Sequence, residues 1–205
     1  QIPHEFILLK GIPVPEKGKY GTGLVFLPKD KTEQDKILKV MIEVIEAEGL
    51  NLMKLRDVPT NPACLGKVAL ESEPDIKQVF ITGVSNEDAP NLERKLYVIR
   101  KKIENQVNHK DFYIVSLSSK NIIYKGMLSS MQVRDYFDDL RDTYFTSGLA
   151  LVHSRFSTNT FPTWSLAQPF RLLCHNGEIN TVRGNRNWMK ARESVLNSGL
   201  LGDIS

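Results

Sequence analysis

The sequence is poor in the features that would place a protein at once in a specialised class. Its 205 residues include only two cysteines, Cys64 and Cys174, and these do not form the CxxC spacing of a metal site. Their apolar neighbours predict reduced thiols in the protein core. No apolar run is long enough for a membrane-spanning helix, and no signal-peptide pattern opens the chain. The sequence therefore predicts no membrane partner and a cytoplasm-like compartment.

The sequence also lacks a large excess of positive or of negative charge. Lys and Arg number 27 against 24 Asp and Glu, and the net charge is +3. This balance is too mild to predict a nucleic-acid partner. A hydrophobic content of 41% with 25% charged residues is typical of a folded globular protein. The length suits one domain or a large part of one, and such a chain can bury a core without disulfides.

Periodicity predicts both strands and helices. One amphipathic helix is expected to start at Thr32, where TEQD fits a capping box, and to stop at Gly49. Further helices are expected over 92–103, after a cap at Ser129 or Ser130, and over 181–196, where Trp188, Met189 and Val195 are available for packing. Strands are predicted at 20–27, 79–83, 112–117, 122–124, 149–153 and 170–174, with SSKN turning a hairpin at 118–121. Hairpins and grouped helices favour an α+β fold over a doubly wound parallel sheet.

Chemistry-bearing residues concentrate after the last two predicted strands. Arg155 offers a planar fork of donors suited to a carboxylate, and the Thr158 hydroxyl is close enough in sequence to join it. Asn176 and Gly177 place a side-chain amide beside a backbone N–H. Two such donors at one point form an oxyanion hole for acyl transfer. These four residues are the predicted site.

Each of these features also has a simpler interpretation. Asn-Gly is a common hairpin turn, and His153 and His175 are typical structural residues at strand ends. Glu178 fits a favourable contact with a helix N-terminus. Cys174 and His175 do not form a nucleophile and base, because adjacent residues of a strand point to opposite faces.

The motifs together resemble the glutaminase domain of glutamate synthases. The resemblance is carried by HSRFSTNT at 153–160, FPTW at 161–164, AQPF at 167–170 and HNGEINT at 175–181, followed by RGN at 183–185 and NWM at 187–189. Earlier segments that resemble the same family are 50–52, 56–59, 61–62, 78–81 and 124–128. The resemblance covers nearly the whole chain.

This resemblance implies an N-terminal-nucleophile (Ntn) hydrolase fold, a four-layer αββα sandwich that is incomplete at its N-terminus. It implies hydrolysis of L-glutamine by an N-terminal cysteine, with the ammonia channelled to 2-oxoglutarate to make glutamate. Arg155 and Thr158 match the residues that hold the glutamine carboxylate, and Asn176 and Gly177 match the oxyanion hole. No cofactor is implied for this chain, whereas FMN, an iron–sulfur cluster and NADPH or ferredoxin are expected elsewhere in the enzyme. The implied partners are the remaining domains and a small reductase subunit, in a bacterial cytoplasm or a plastid.

The chain departs from the family pattern at both ends. Residues 1–205 are expected to be a partial amidotransferase domain, because residue 1 is Gln1 rather than a cysteine, and the family's acidic residue for the glutamine amine would fall beyond Ser205. The chain alone is therefore expected to lack glutaminase activity. Two alternatives remain open: another class II amidotransferase, and a non-catalytic glutamine-binding or interaction module with the same fold.

Overall fold

An antiparallel sheet forms the centre of the computed structural model, which describes residues 1–83, 89–156, 160–175, 181–196 and 198–201. Its strands within these ranges are β1 (Tyr20–Leu27), β2 (Leu50–Asp57), β3 (Asp75–Gly83) and β4 (Tyr113–Ile114). The spatial order is β2-β3-β1-β4, and every neighbouring pair is antiparallel. The predicted α+β class is confirmed.

The helices are α1 (His4–Leu9), α2 (Lys31–Ala47), α3 (Lys67–Glu71), α4 (Ala89–Gln106), α5 (Ser130–Tyr136) and α6 (Val182–Glu193). The predicted start of α2 at Thr32 is wrong. Asp30 caps the helix instead, because its carboxylate accepts the Glu33 N–H at 3.0 Å. Two predicted helix boundaries are correct. Gly49 follows the end of α2 with a φ of +72°, and Ser129 caps the start of α5 with a capping box.

Both faces of β1 are buried, which places the sheet between two apolar layers. Val25 and Leu27 belong to a cluster that includes the inner faces of α2 and α4. Leu24 and Phe26 point the other way, into a second cluster that includes residues of α5 and the later loops. Successive side chains of a strand alternate between faces, so one eight-residue strand contributes to both layers. The second layer is the one to which the predicted site region is attached.

The predicted hairpin at 112–124 is not formed. After β4 the chain continues along β1: the Val115 N–H donates to the Leu24 carbonyl at 2.9 Å, and Thr22 and Ser118 exchange two backbone hydrogen bonds. The Glu93 carboxylate accepts from both the Ser118 hydroxyl and the Ser119 hydroxyl, each at 2.7 Å. The serines are therefore bound to α4 instead of turning a hairpin.

The strands predicted at 149–153 and 170–174 are also absent. The first run contains no strand, and the second contains only an isolated bridge between Phe170 and Leu173. Leu151 and Val152 are 64% and 82% exposed. A strand needs a neighbour to pair its backbone groups, and no strand within the described residues lies alongside either run.

The predictions for the last helix and for the two cysteines are correct only in part. The helix predicted over 181–196 is confirmed as α6, but Trp188 and Val195 are about three-quarters exposed, at 75% and 76%, and do not pack into the core. Cys64 and Cys174 are free thiols, as predicted, and both are half-buried. Cys64 packs against the second apolar cluster, so the predicted core positions are correct only in part. Among the described residues, no helix has the length and apolar character needed to cross a membrane.

Candidate functional site

Of the four predicted site residues, the structure describes only Arg155. Its side chain is exposed, and its backbone N–H donates to Nδ1 of His153 at 3.1 Å. Within the described residues the Arg155 guanidinium has no carboxylate partner. Thr158, Asn176 and Gly177 lie outside the described residues. The structure therefore does not test whether the four residues converge.

Trp164 attaches the segment 160–175 to the second apolar layer. It is 4% exposed, and its Nε1 donates to the Ala69 carbonyl at 3.1 Å. Its ring centroid lies 6.1 Å from that of Phe26 and 5.4 Å from that of Tyr136. Gly126 lets the indole approach closely, because a Cβ at that position would lie 2.4 Å from the ring. An indole buried with its N–H satisfied is a rigid anchor. The start of the site segment is thus fixed to the sheet.

A second attachment lies at the end of the same segment. The Gln168 side chain holds the backbone of His175 from both sides: Oε1 accepts the His175 N–H at 2.7 Å, and Nε2 donates to the His175 carbonyl. Between them the chain reverses through the Phe170–Leu173 bridge, with backbone hydrogen bonds of 2.8 and 3.1 Å. The loop from 168 to 175 is therefore closed by four hydrogen bonds.

Lys125 lies beneath this loop and is almost completely buried, at 2% exposed. Its Nζ donates to the Ser165 carbonyl at 2.8 Å and lies over the rings of Tyr113 and Phe170, 4.6 and 4.8 Å from their centroids. Burial, and to a smaller extent the nearby Arg171 guanidinium, together lower the pKa of Lys125 from 10.5 to about 7. The ammonium is held by a carbonyl and two ring faces, with no carboxylate among its described contacts.

Arg171 attaches the same loop to the other apolar layer, on the side of the sheet covered by α2 and α4. Its Nη2 donates to Oε1 of Glu104 in α4 and to the Ile114 carbonyl in β4, both at 2.6 Å. Its Nε is buried and has no hydrogen-bond partner within the described residues. A cavity of about 370 Å³ lies beside it, lined mainly by apolar side chains such as Tyr124 and Phe145. Arg155 does not line this cavity.

Comparison with known proteins decides the family. Residues 1–205 match the family described as Glutamine amidotransferases class-II. The chain belongs to the class-II glutamine amidotransferases.

Its relatives are glutamate synthases. The chain is 51% identical over 209 residues to the "Glutamate synthase [NADPH] large chain" of Bacillus subtilis, covering 99% of this chain and 14% of that protein. It is 42% identical over 217 residues to the "Glutamate synthase [NADH]" of Saccharomyces cerevisiae, covering 98% and 10%. It is also 42% identical over 193 residues to the chloroplastic "Ferredoxin-dependent glutamate synthase" of Spinacia oleracea, covering 92% and 12%. The chain thus spans between 10% and 14% of these relatives, and the predicted resemblance is confirmed.

Sequence reasoning missed the residues that attach the segment 160–175 to the rest of the fold. Gln168 and Trp164 were recognised only as parts of the motifs AQPF and FPTW, and Lys125 only as part of the 124–128 segment. One signal was available for Gln168, since an amide within a dense polar region can bind backbone groups. No local pattern indicates that Lys125 meets Ser165, because 40 residues separate them.

The described part of this amidotransferase contains no group of three or more His, Cys, Asp or Glu side chains arranged to hold a metal ion. The two cysteines of the full sequence are also fewer than the four thiolates that hold an iron–sulfur cluster. Cys64 is a weak candidate nucleophile, because burial raises the pKa of its thiol and its Sγ donates to the Asn61 carbonyl at 3.2 Å.

Proposed function

We propose that the chain is part of the glutamine-hydrolysing domain of a glutamate synthase, which releases ammonia from L-glutamine for the reductive amination of 2-oxoglutarate. The observation that carries this proposal is the class-II amidotransferase match over residues 1–205, together with relatives that are glutamate synthases using three different reductants. The complete enzyme would hold FMN, an iron–sulfur cluster and the NADPH or ferredoxin site in other domains or in a small reductase subunit. Its compartment would be a bacterial cytoplasm or a plastid.

The proposed fold of the complete domain is the four-layer αββα sandwich. The described sheet, covered by α2 and α4, would be one sheet layer and one helix layer of that arrangement. The exposed apolar residues of 149–152 and of 172–173 would be covered when a second sheet is completed by parts of the polypeptide outside residues 1–205. Residues 1–205 would then be one portion of a larger amidotransferase domain.

The proposed chemistry begins outside these residues, with a cysteine thiol at the mature N-terminus. The sulfur attacks the side-chain amide carbon of glutamine, and the cysteine's α-amino group takes the thiol proton and passes it to the leaving ammonia. A thioester remains, and water hydrolyses it to glutamate. This chain contributes binding and charge stabilisation: Arg155 and Thr158 hold the glutamine carboxylate, and Asn176 and Gly177 donate to the oxyanion.

The exposed, unpaired state of Arg155 within the described residues supports its proposed role. A guanidinium committed to a structural carboxylate, as Arg56 is to Asp139, would have no free fork for a substrate. The Arg155 fork is instead available to bind a carboxylate with two parallel hydrogen bonds. The backbone contact to His153 fixes the chain just before it.

A direct test uses a polypeptide that contains this chain and begins at the proposed cysteine. We expect it to form glutamate from 2-oxoglutarate with glutamine as nitrogen donor, and also with free ammonia. Activity with ammonia alone would identify a non-catalytic module. Glutamine hydrolysis that aminates a sugar phosphate, with none transferred to 2-oxoglutarate, would identify a different class II amidotransferase.

A further inference from the structure

The Gln168 side chain makes two hydrogen bonds to the backbone of His175. One planar amide donates to the carbonyl and accepts from the N–H of the same residue. This is the hydrogen-bonding pattern of a neighbouring β-strand, supplied here by one side chain. The backbone N–H and the carbonyl of His175 are therefore both held by the Gln168 amide.

Gln168 is itself held firmly by the residues that precede it. Ala167 is 3% exposed, and its N–H donates to the Thr163 carbonyl at 3.2 Å. Trp164 is buried in the second apolar layer, and Lys125 binds the carbonyl of Ser165. Gln168, and with it the Gln168–His175 contact, is thus fixed to the sheet through a short turn.

His175 is followed directly in the chain by Asn176. We propose that Gln168 is a positioning residue for the oxyanion hole: by fixing the backbone of His175, it sets where the donors of Asn176 and Gly177 lie. The inference rests on the proposed function of those two residues. Gln168 does not touch the substrate in this arrangement and acts only through His175.

The physical reason is the strict geometry of an oxyanion hole. Its donors must lie about 2.7–3.1 Å from the charged oxygen, and a displacement of about 1 Å can reduce the rate by about a hundredfold. A residue one position before the donors is the nearest point at which the protein can control their placement.

The consequence is a separation between kcat and KM. Loss of the Gln168 contact would weaken stabilisation of the transition state, where the oxygen carries charge, and leave the carboxylate grip of Arg155 in place. Synthesis from free ammonia does not use the oxyanion hole, so it would be unaffected.

The test uses Gln168→Met, which keeps the size of the side chain and removes both hydrogen bonds, in a glutamate synthase polypeptide that contains this chain. We expect glutamine-dependent kcat to fall by between about tenfold and a hundredfold, with KM within about twofold and ammonia-dependent activity unchanged. Gln168→Glu retains the acceptor for the His175 N–H but places a carboxylate oxygen against the His175 carbonyl, so glutamine-dependent kcat should also fall. Equal losses of the glutamine-dependent and ammonia-dependent activities in both variants would overturn the proposal.

A matched control is Gln132→Met. Gln132 also joins two backbone groups, accepting the Ser129 N–H at 2.9 Å and donating to the Cys64 carbonyl, but it lies in α5. Its replacement should lower thermal stability without changing kcat. A fall in kcat equal to that of Gln168→Met would mean that any lost side chain to backbone contact has this effect, and the proposal would be wrong.

A double-mutant cycle with Asn176→Ala separates this inference from the proposed function. If Gln168 acts through the two donors, the loss in the double variant should be smaller than the sum of the two single losses. Additive losses would overturn the positioning role. Normal kcat in Gln168→Met with a slow Asn176→Ala would overturn the positioning role and leave the oxyanion assignment intact. Normal kcat in Asn176→Ala would remove the oxyanion assignment itself, and the positioning role with it.

Discussion

Arg56 and Asp139 form a two-pronged ion pair although 83 residues separate them in the chain. Nη1 and Nη2 of the guanidinium donate to the two carboxylate oxygens at 2.8 and 2.5 Å, and the Tyr124 hydroxyl adds a third hydrogen bond at 2.8 Å. Burial opposes the charge of Arg56, but the hydrogen-bonded Asp139 outweighs it and raises the pKa of the guanidinium. The pair joins the end of β2 to the turn that follows α5.

Asp139→Asn should destabilise the chain strongly. Asp139 is 2% exposed, and its neutralisation leaves the largely buried Arg56 charge uncompensated. We expect a loss of about 3–5 kcal/mol in the free energy of unfolding, measured by urea denaturation. The control is Asp138→Asn, because the Asp138–Arg141 pair is about half exposed and should contribute about 0–1 kcal/mol. Similar small losses in the two variants would mean that Arg56 is solvated in solution.

Lys125→Met should change how stability depends on pH. The folded pKa of Lys125 is about 7 and its ordinary value is 10.5, so between these values the unfolded chain binds more protons than the folded one. Wild-type stability should therefore rise with pH over this window, while below it the full penalty of burying the ammonium remains. The penalty is absent in the Met variant.

The measurable quantity is the stability difference between Lys125→Met and wild type. We expect the extra stability of the variant over wild type to shrink by about 1–3 kcal/mol as the pH rises from about 7 to about 10. The free energy of unfolding is measured by urea denaturation at each pH. Exposed Lys120→Met serves to subtract the effect of removing one lysine charge from the molecule. A difference that stays constant over this range would show that the Lys125 ammonium is hydrated in the folded state.

Arg155→Lys should weaken glutamine binding in the complete enzyme. The substitution replaces a two-pronged contact by a single point charge. We expect a higher KM for glutamine and a loss in kcat/KM equivalent to about 2–5 kcal/mol, with ammonia-dependent synthesis retained. Arg134→Lys, on the exposed side of α5, is the matched control. An unchanged kcat/KM for glutamine in Arg155→Lys would make this arginine structural.

Asn176→Ala should slow glutamine hydrolysis without weakening glutamine binding. The amide donor is useful mainly when the substrate oxygen becomes charged, so its removal raises the barrier more than it affects the ground state. We expect kcat to fall by about a hundred- to a thousandfold, equivalent to about 2.7–4 kcal/mol. Parallel kinetics with glutamine and with ammonia, together with a thermal melt, provide the check. Matched losses of both activities with reduced stability would support a plain Asn-Gly turn.

Sequence reasoning succeeded where the deciding contacts are local. The strand over Tyr20–Leu27 was predicted with its observed bounds, and the stripe of Leu92, Leu96, Ile99 and Ile103 is the buried face of α4. It failed where two local choices competed. Asp30 and Thr32 are both good caps, and the observed one was decided by which side chain reached a free N–H of the first turn.

The predicted site could be named from its residues only in part. Arg155, Thr158, Asn176 and Gly177 were selected by residue type and motif, and of these the structure describes only the exposed Arg155. The prediction that two strands deliver them was wrong for the described residues. Runs such as 149–153 have strand-like composition, but pairing depends on a neighbour elsewhere in the chain.

The sequence by itself determined the family, the class of fold and the amphipathic helices, because motifs and periodicity depend on residues close together in the chain. Only the tertiary structure decided which polar groups are satisfied by which partners. Glu93 binds the serines expected to form a turn, Lys125 holds the carbonyl of Ser165, and Gln168 holds His175. The first two contacts join residues 25 and 40 positions apart, and the third spans a loop of irregular conformation. A buried polar group must find a partner wherever the fold supplies one, and no local spacing records that choice.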